Sequence, residues 1–276
     1  MADKCAFIIL SHNSGSYLLK CLESVLSVNA VEPYIYIADN GSGDDSVGVI
    51  EDISSRAPGR VCLIKNGKNL GTTVPRNELA KRAVSDHPDL SYLCVLDSDT
   101  VINDEAVEGL RKALDNDPEI AIASPRMFNG ENIEQMSVKH FPTVRGKMMK
   151  AMPFPGMEEK GRARESYDFF PARDLRSDIL PPVSTDDSVY IADYAISACW
   201  FMRADVFLKY GYLDEKIFYA PEDVDFCHTV FEKGGKTALV SGVSIYHLTQ
   251  RISKKKLFSR MNFLHIKGLL RYWRKH

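Results

Sequence analysis

Over the first 125 residues, five short apolar runs alternate with four stretches of helical spacing, and this alternation most constrains the fold. The runs are Cys5–Leu10, Tyr34–Ala38, Val61–Ile64, Tyr92–Leu96 and Ile120–Ala123, all of strand length. Between them, Tyr17–Val28 repeats Leu18, Leu22, Val25 and Leu26, and Asp44–Ile53 opens on acids. Pro75–Val84 carries proline in its first turn, where the missing N–H breaks no bond, and Glu105–Leu114 completes the set. Strands and helices alternating through short connections predict an α/β fold with a mainly parallel, Rossmann-like central sheet and helices on both faces. Ligands in such sheets bind beyond the C-terminal strand ends.

The second half is less regular. Residues 141–188 mix prolines and charges without a period and read as a long excursion. Tyr190–Met202 suits strands, and Pro221–Lys233 suits a helix opened by proline. Thr237–Val240 and Val243–Tyr246 read as two short strands around Ser241-Gly242, and Leu257–Trp273 as a basic amphipathic helix. A body of residues 1–250, in halves of about 1–125 and 126–250, is expected ahead of a tail at 251–276.

Charge divides the chain unevenly. Residues 251–276 hold nine Lys or Arg and no acid, whereas the first 250 carry 26 bases against 37 acids. An acidic body argues against nucleic acid as a partner. The tail has two readings: a helix lying on anionic lipid, or one packing its apolar side on the body, which is the favoured reading. The N-terminal apolar run is far shorter than the roughly 20 residues of a membrane span. Six scattered cysteines with no C-x-x-C pair favour a reducing cytoplasm over a disulfide framework.

Polar residues gather where the strands end. Ser11-His12-Asn13-Ser14-Gly15 follows the first, and Asp39-Asn40-Gly41-Ser42-Gly43-Asp44 the second. Asn69-Leu70-Gly71 and Arg76-Asn77 follow the third, and Asp97-Ser98-Asp99 the fourth. Taken singly, the second is also a turn and the third a helix entry. Asp97 and Asp99 share a face if the strand continues, and two such carboxylates repel unless a cation compensates. A hard ion such as Mg²⁺ or Mn²⁺ suits them and keeps positions open for phosphate oxygens; the alternative is helix capping by Asp99 or Thr100. Glu222-Asp223-Val224-Asp225 at a helix start is either dipole capping or a general base, and His247 either structural or a metal ligand.

In order and spacing these segments resemble family 2 glycosyltransferases. Ile8-Ile9-Leu10-Ser11-His12-Asn13, Ala38 to Asp44, Asn69-Leu70-Gly71 with Arg76-Asn77, and Leu96-Asp97-Ser98-Asp99 look like the donor half. Gly211-Tyr212-Leu213-Asp214-Glu215, Phe218 and Glu222-Asp223-Val224-Asp225-Phe226 look like the acceptor half, within the rhamnosyltransferase-like branch. The resemblance covers residues 5–250 apart from 130–190. It implies a GT-A fold and inverting transfer of a sugar from a UDP-, dTDP- or GDP-linked donor to a glycan, lipid-linked or protein acceptor. Ser11, Asn13, Asp39, Asn69, Gly71, Arg76, Asp97 and Ser98 would bind the donor, with Asp39 on the base or ribose. Asp99 and Asp97 would hold Mg²⁺ or Mn²⁺, with His247 as a further ligand. Asp223 would be the base and Glu222 its reserve.

Two departures stand out. Ala195 to Trp200 lacks the glycine that relatives often carry, so the acceptor cleft is expected to differ. The 141–188 excursion is read as an acceptor-recognition segment or a lid. Two other functions compete. A sugar-nucleotidyltransferase needs a glycine-rich basic loop after the first strand, and Ser11–Gly15 has neither Lys nor Arg. A catalytically inactive nucleotide-sugar or glycan-binding module would not need Asp97, Asp99, Glu222 and Asp223 together.

Overall fold

β1 (Lys4–Ser11) explains why an unbroken apolar run makes a strand here. Cys5, Phe7 and Ile9 join the core on one face of the sheet, Ala6 and Ile8 the core on the other, and all five are fully buried. β2 (Glu32–Asp39), β3 (Val61–Lys65) and β4 (Tyr92–Asp97) run parallel to it in the order β3-β2-β1-β4. The computed structural model describes residues 2–151, 189–248 and 260–276. α1 (Gly15–Leu26), α2 (Ser46–Arg56) and α4 (Asp104–Asn116) cover the Cys5 face, and α3 (Thr73–Asp86) covers the Ala6 face.

The second half extends the same sheet in mixed directions. β6 (Ile120–Phe128) is separated from β4 by β11 (Cys199–Arg203), which runs antiparallel to both. β12 (Lys236–His247) lies parallel to β6, with β5 (Thr100–Val101) antiparallel on its far side. β7 (Glu134–Gln135) and β9 (Val189–Ala192) pair with β6 and β12, while β8 (Val138–Lys139) and β10 (Tyr194–Ala195) form a separate two-stranded sheet. α5 (Val144–Ala151) opens the expected excursion; its proposed role as lid or acceptor-recognition segment falls largely on residues 152–188, outside the described residues.

Two local expectations need correction. The two short strands at 237–246 are one strand, because β12 absorbs Ser241-Gly242 as an irregularity where its pairing with β6 slips between Val240 and Ser244. A short helix, α6 (Val206–Tyr210), follows β11 where none was expected. The acidic helix is α7 (Glu222–Glu232), and Asp225 within it serves the fold: its carboxylate pairs with Lys275 and His276 and so holds α8 (Arg260–Lys275) on the body. Of the two readings of the tail, packing accounts for one face of α8, where Leu269 and Tyr272 are buried and Trp273 Nε1 donates to the Pro142 carbonyl. No helix among the described residues is long and apolar enough to cross a membrane.

Candidate active site

Register brings the strand-end residues together. Ser11 pairs with Asp39 across β1 and β2, and Leu10 pairs with Asp97 across β1 and β4, so three chain segments end at one edge of the sheet. The first two segments are tied to each other. The Asn13 amide N–H donates to Ser42 Oγ at 2.9 Å, and Asn13 Oδ1 accepts from the Gly43 N–H at 2.8 Å, with Asn13 in the left-handed region at φ 53°. Ser11 Oγ donates to Ser14 Oγ, which lies 2.8 Å from Ser98 Oγ, so a short hydroxyl chain links the first and fourth strand ends.

Asp39 is buried, and its Oδ2 accepts the Gly41 and Ser42 N–H groups at 3.2 and 3.1 Å. Its Oδ1 is buried without a hydrogen-bond partner among the described residues. An orphaned carboxylate oxygen is costly, so a ligand donor is the natural partner there. Asn40 fixes the third segment: its amide N–H₂ donates to Asn69 Oδ1 and the Gly71 carbonyl, and its Oδ1 accepts the Leu70 N–H. Gly71 sits at φ 85°, and any Cβ there would collide with the Phe218 carbonyl, to which the Thr72 N–H donates.

Arg76 is the hub. It is 3% exposed and holds three partners: Asp97 Oδ1 at 2.7 Å, Glu222 Oε1 at 3.1 Å and Ser197 Oγ at 3.0 Å. One guanidinium therefore spans β4, the β10–β11 connection and the start of α7. Asp97 Oδ2 lies 3.9 Å from His247 Nε2, and Asp99 Oδ1 lies 3.4 Å from the same nitrogen. Asp97, Asp99 and His247 each offer a ligand atom within 4.8 Å of the others. His247 Nδ1 is 3.0 Å from Gln135 Oε1, a bond that leaves Nε2 facing the acids. Two carboxylate oxygens and an oriented imidazole suit a divalent cation.

Electrostatics point the same way. Asp97, Asp99, Glu222 and Asp223 gather near Arg76. Burial raises the pKa of Asp97, and Asp99 raises it further, over the opposing pull of Arg76. Burial works against a charged His247, but its bond to Asp99 and the charges of Asp97 and Asp99 raise its pKa. Asp223 is pushed up to about 6 by burial and by Glu222 beside it, against the Val224 N–H, Lys139 and Arg76. A carboxylate held near the working pH is suited to accept a proton.

Four contributors escaped the sequence reading. Ser197 sits in the glycine-free stretch and accepts from Arg76, while the neighbouring Ala198 carbonyl accepts the Asp97 N–H. Tyr219 lies among Glu222, Asp97 and Asp223; burial and those three charges raise its phenol pKa. Gln135 orients His247, and Ser14 bridges Ser11 to Ser98. Ser197 and Gln135 carry no motif of their own; Ser14 lay within the Ser11–Gly15 strand end and Tyr219 beside Glu222-Asp223, which were usable signals.

Known proteins place the chain in a family and a fold. Residues 6–176, more than half of the chain, match the family described as glycosyl transferase family 2. Glycosyltransferase GlyG of Streptococcus pneumoniae is 26% identical over 133 residues, which are 45% of this chain and 40% of that protein. Low-salt glycan biosynthesis hexosyltransferase Agl10 of Haloferax volcanii is 26% identical over 162 residues, 59% of this chain and 41% of that one. The chain thus spans about two fifths of the length of these curated relatives. GalNAc-T7, solved with UDP, GalNAc and Mn2+, superposes with a TM-score of 0.67 at 16% identity, covering 99% of this chain and 48% of that one, a likeness of fold. With a GT-A sheet, acids at its strand ends and a family match across residues 6–176, the chain belongs to glycosyl transferase family 2.

Proposed function

We propose that this chain is an inverting, metal-dependent glycosyltransferase that moves a sugar from a nucleoside-diphosphate donor to an acceptor hydroxyl, in glycan or glycoconjugate synthesis. The observation that carries this reading is the convergence of Asp97, Asp99, His247, Glu222 and Asp223 around Arg76. We take residues 1–125 as the donor half and 126–250 as the acceptor half. Asp39 Oδ1 receives an N–H or O–H of the nucleoside, supported by the segments carrying Ser11, Asn13, Asn69 and Gly71. Asp99, Asp97 and His247 hold a divalent ion, whose chemistry is to neutralise charge growing on the leaving diphosphate. Asp223 takes the proton of the acceptor hydroxyl as that oxygen attacks the anomeric carbon from the face opposite the diphosphate, so the configuration inverts. Glu222, fixed by Arg76, holds the acceptor.

The Glu222-Asp223-Val224-Asp225 signature is our ground for the rhamnosyltransferase-like branch. Six cysteines, none paired with another, agree with a reducing compartment. The GalNAc-T7 structure contains UDP and Mn2+, which supports testing that nucleotide and that ion first.

The test is a thermal-shift screen of UDP-, dTDP- and GDP-sugars with Mn²⁺ and with EDTA. A true donor at a hundred times its Kd stabilises by about 2.7 kcal/mol, a rise of roughly 5–10 °C for a chain of this size. The rise is expected only with metal and is lost in Asp99→Asn. Silence with every donor overturns the reading; an equal rise in EDTA removes the metal from it.

A further inference from the structure

α8 turns two unlike faces. On the inner face, Gly268, Leu269 and Tyr272 are buried. A Cβ at Gly268 would meet the Ala220 carbonyl and the Pro221 ring, so this helix touches the residues just before Glu222 and Asp223. His265 lies close to the Ala220 backbone as well. On the opposite face Phe263, Ile266 and Leu270 are 68%, 55% and 48% exposed. Their spacing of three and four residues lines them up as one stripe. Beside the stripe an open cavity of about 490 Å³ is lined by Lys216, Lys267, Leu270, Arg271, Arg274 and Lys275. Arg271 is paired with Asp214 and Lys275 with Asp225, while no ion pair among the described residues occupies Lys216, Lys267 or Arg274.

We propose that the outer face of α8 docks on an anionic bilayer, with the basic cavity receiving a phosphate-bearing lipid headgroup. A helix that only packs on the body keeps its outer face polar; this one exposes a phenylalanine, an isoleucine and a leucine flanked by cations. That is the composition of a helix lying at the acyl boundary, where Lys and Arg stems reach back to the headgroups. Charge complementarity selects the surface and the orientation. The first 250 residues carry 26 bases against 37 acids, so the body as a whole is repelled by anionic lipid, and the attraction comes from the α8 cations together with Lys216. The consequence deepens the transferase reading and rests on it. A helix is about 10 Å thick, and the inner face of α8 touches Ala220-Pro221, so docking holds Glu222 and Asp223 about one helix diameter from the membrane. The acceptor is then a sugar carried on a membrane lipid.

Flotation of the full chain with phosphatidylcholine vesicles, with and without phosphatidylglycerol, tests the docking. Binding is expected only with phosphatidylglycerol and weakens as salt rises. Lys267→Glu and Arg274→Glu should each lower partitioning about fivefold or more. Phe263→Ser, Ile266→Ser and Leu270→Ser together should lower it at least about tenfold at an unchanged melting temperature, since these side chains are exposed. No binding to anionic vesicles, equal binding to neutral ones, or wild-type binding by the triple variant overturns the proposal. So does retention on an oligonucleotide without retention on vesicles, or binding that depends on Lys254–Lys256 alone. The assay contains no sugar donor: vesicle binding without turnover sinks only the transferase reading, and turnover without vesicle binding sinks only the docking.

Discussion

The two halves of the site are built by different means. On the donor side the residues ending the first three strands are held within their own loops or by the next one: Asp39 by the N–H groups of Gly41 and Ser42, Asn13 by Ser42 and Gly43, Asn69 by Asn40 and Gly71. These bonds lie within or between loops above parallel strands whose register already aligns them. On the acceptor side Asp223 accepts the neighbouring Val224 N–H, but the other contacts are distant. Glu222 depends on Arg76, 146 residues away, and His247 on Gln135, 112 residues away. The difference teaches where damage should spread: donor-side changes should stay with nucleotide affinity, and acceptor-side changes should reach the fold and the rate.

The sharpest way to break that contrast is Arg76, which belongs to one half by sequence and serves both. Arg76→Ala leaves Glu222, 6% exposed, without its counter-charge and removes the partners of Asp97 and Ser197. Breaking a buried pair in this way costs about 3–5 kcal/mol, so urea unfolding should show a large loss and transfer should vanish. Full stability in Arg76→Ala would mean that the halves do not share this hub.

Asp223→Asn should separate the halves cleanly. Transfer falls about 10²–10⁴-fold, the usual worth of a general base, while calorimetry finds donor affinity unchanged. Should Glu222→Gln alone abolish transfer, the base is misassigned. The pH dependence has a definite sign. Asp223 accepts a proton only when ionised, so the rate rises with pH through about 6. Its folded pKa is raised, so its contribution to stability is present at low pH and is lost as pH climbs through about 6. Asp223→Asn should therefore melt higher than the parent at pH 8, by on the order of 1–2 kcal/mol, and show no gain at pH 4.

The same contrast explains what could be read from the sequence. Strands buried on both faces announce themselves as apolar runs, and a polar residue ending such a run lands at the sheet edge whatever the rest of the chain does. Ser11, Asp39, Asp97 and Asp99 were legible for that reason. Ser197, Tyr219 and Gln135 were not, because their roles depend on which distant side chain arrives opposite them. Asp225 was legible as an acid at a helix start, yet nothing local says that it faces Lys275 and His276 rather than the cleft. Ser241-Gly242 read as a turn because a bulge inside a long strand uses the same residue types.

Gly71 tests the seam between the halves with a smaller effect. Alanine there is strained at φ 85° and its Cβ would displace the Phe218 carbonyl. A loss of about 1–3 kcal/mol is expected by thermal melting. Both donor affinity and turnover should fall, because the loop carrying Thr72 and the loop carrying Phe218 move together. A loss of donor affinity with turnover unchanged at saturating donor would show the seam to be looser than its hydrogen bonds imply.

Asp39→Asn should leave the fold least affected and give the most local effect. The Gly41 and Ser42 N–H groups occupy one carboxylate oxygen, and an asparagine amide oxygen can accept them equally well. The amide nitrogen then takes the place of Oδ1, turning the buried acceptor into a donor. A nucleoside N–H or O–H aimed at that position would meet another donor. Losing one charge-assisted bond costs about 1.5–3 kcal/mol, so nucleoside-diphosphate affinity should drop by about tenfold or more in calorimetry. The melting temperature without ligand should barely move, since no hydrogen bond within the protein is lost. Unchanged affinity would remove Asp39 from the donor site; a melting temperature that falls with the affinity would mean the donor half is no more local than the acceptor half.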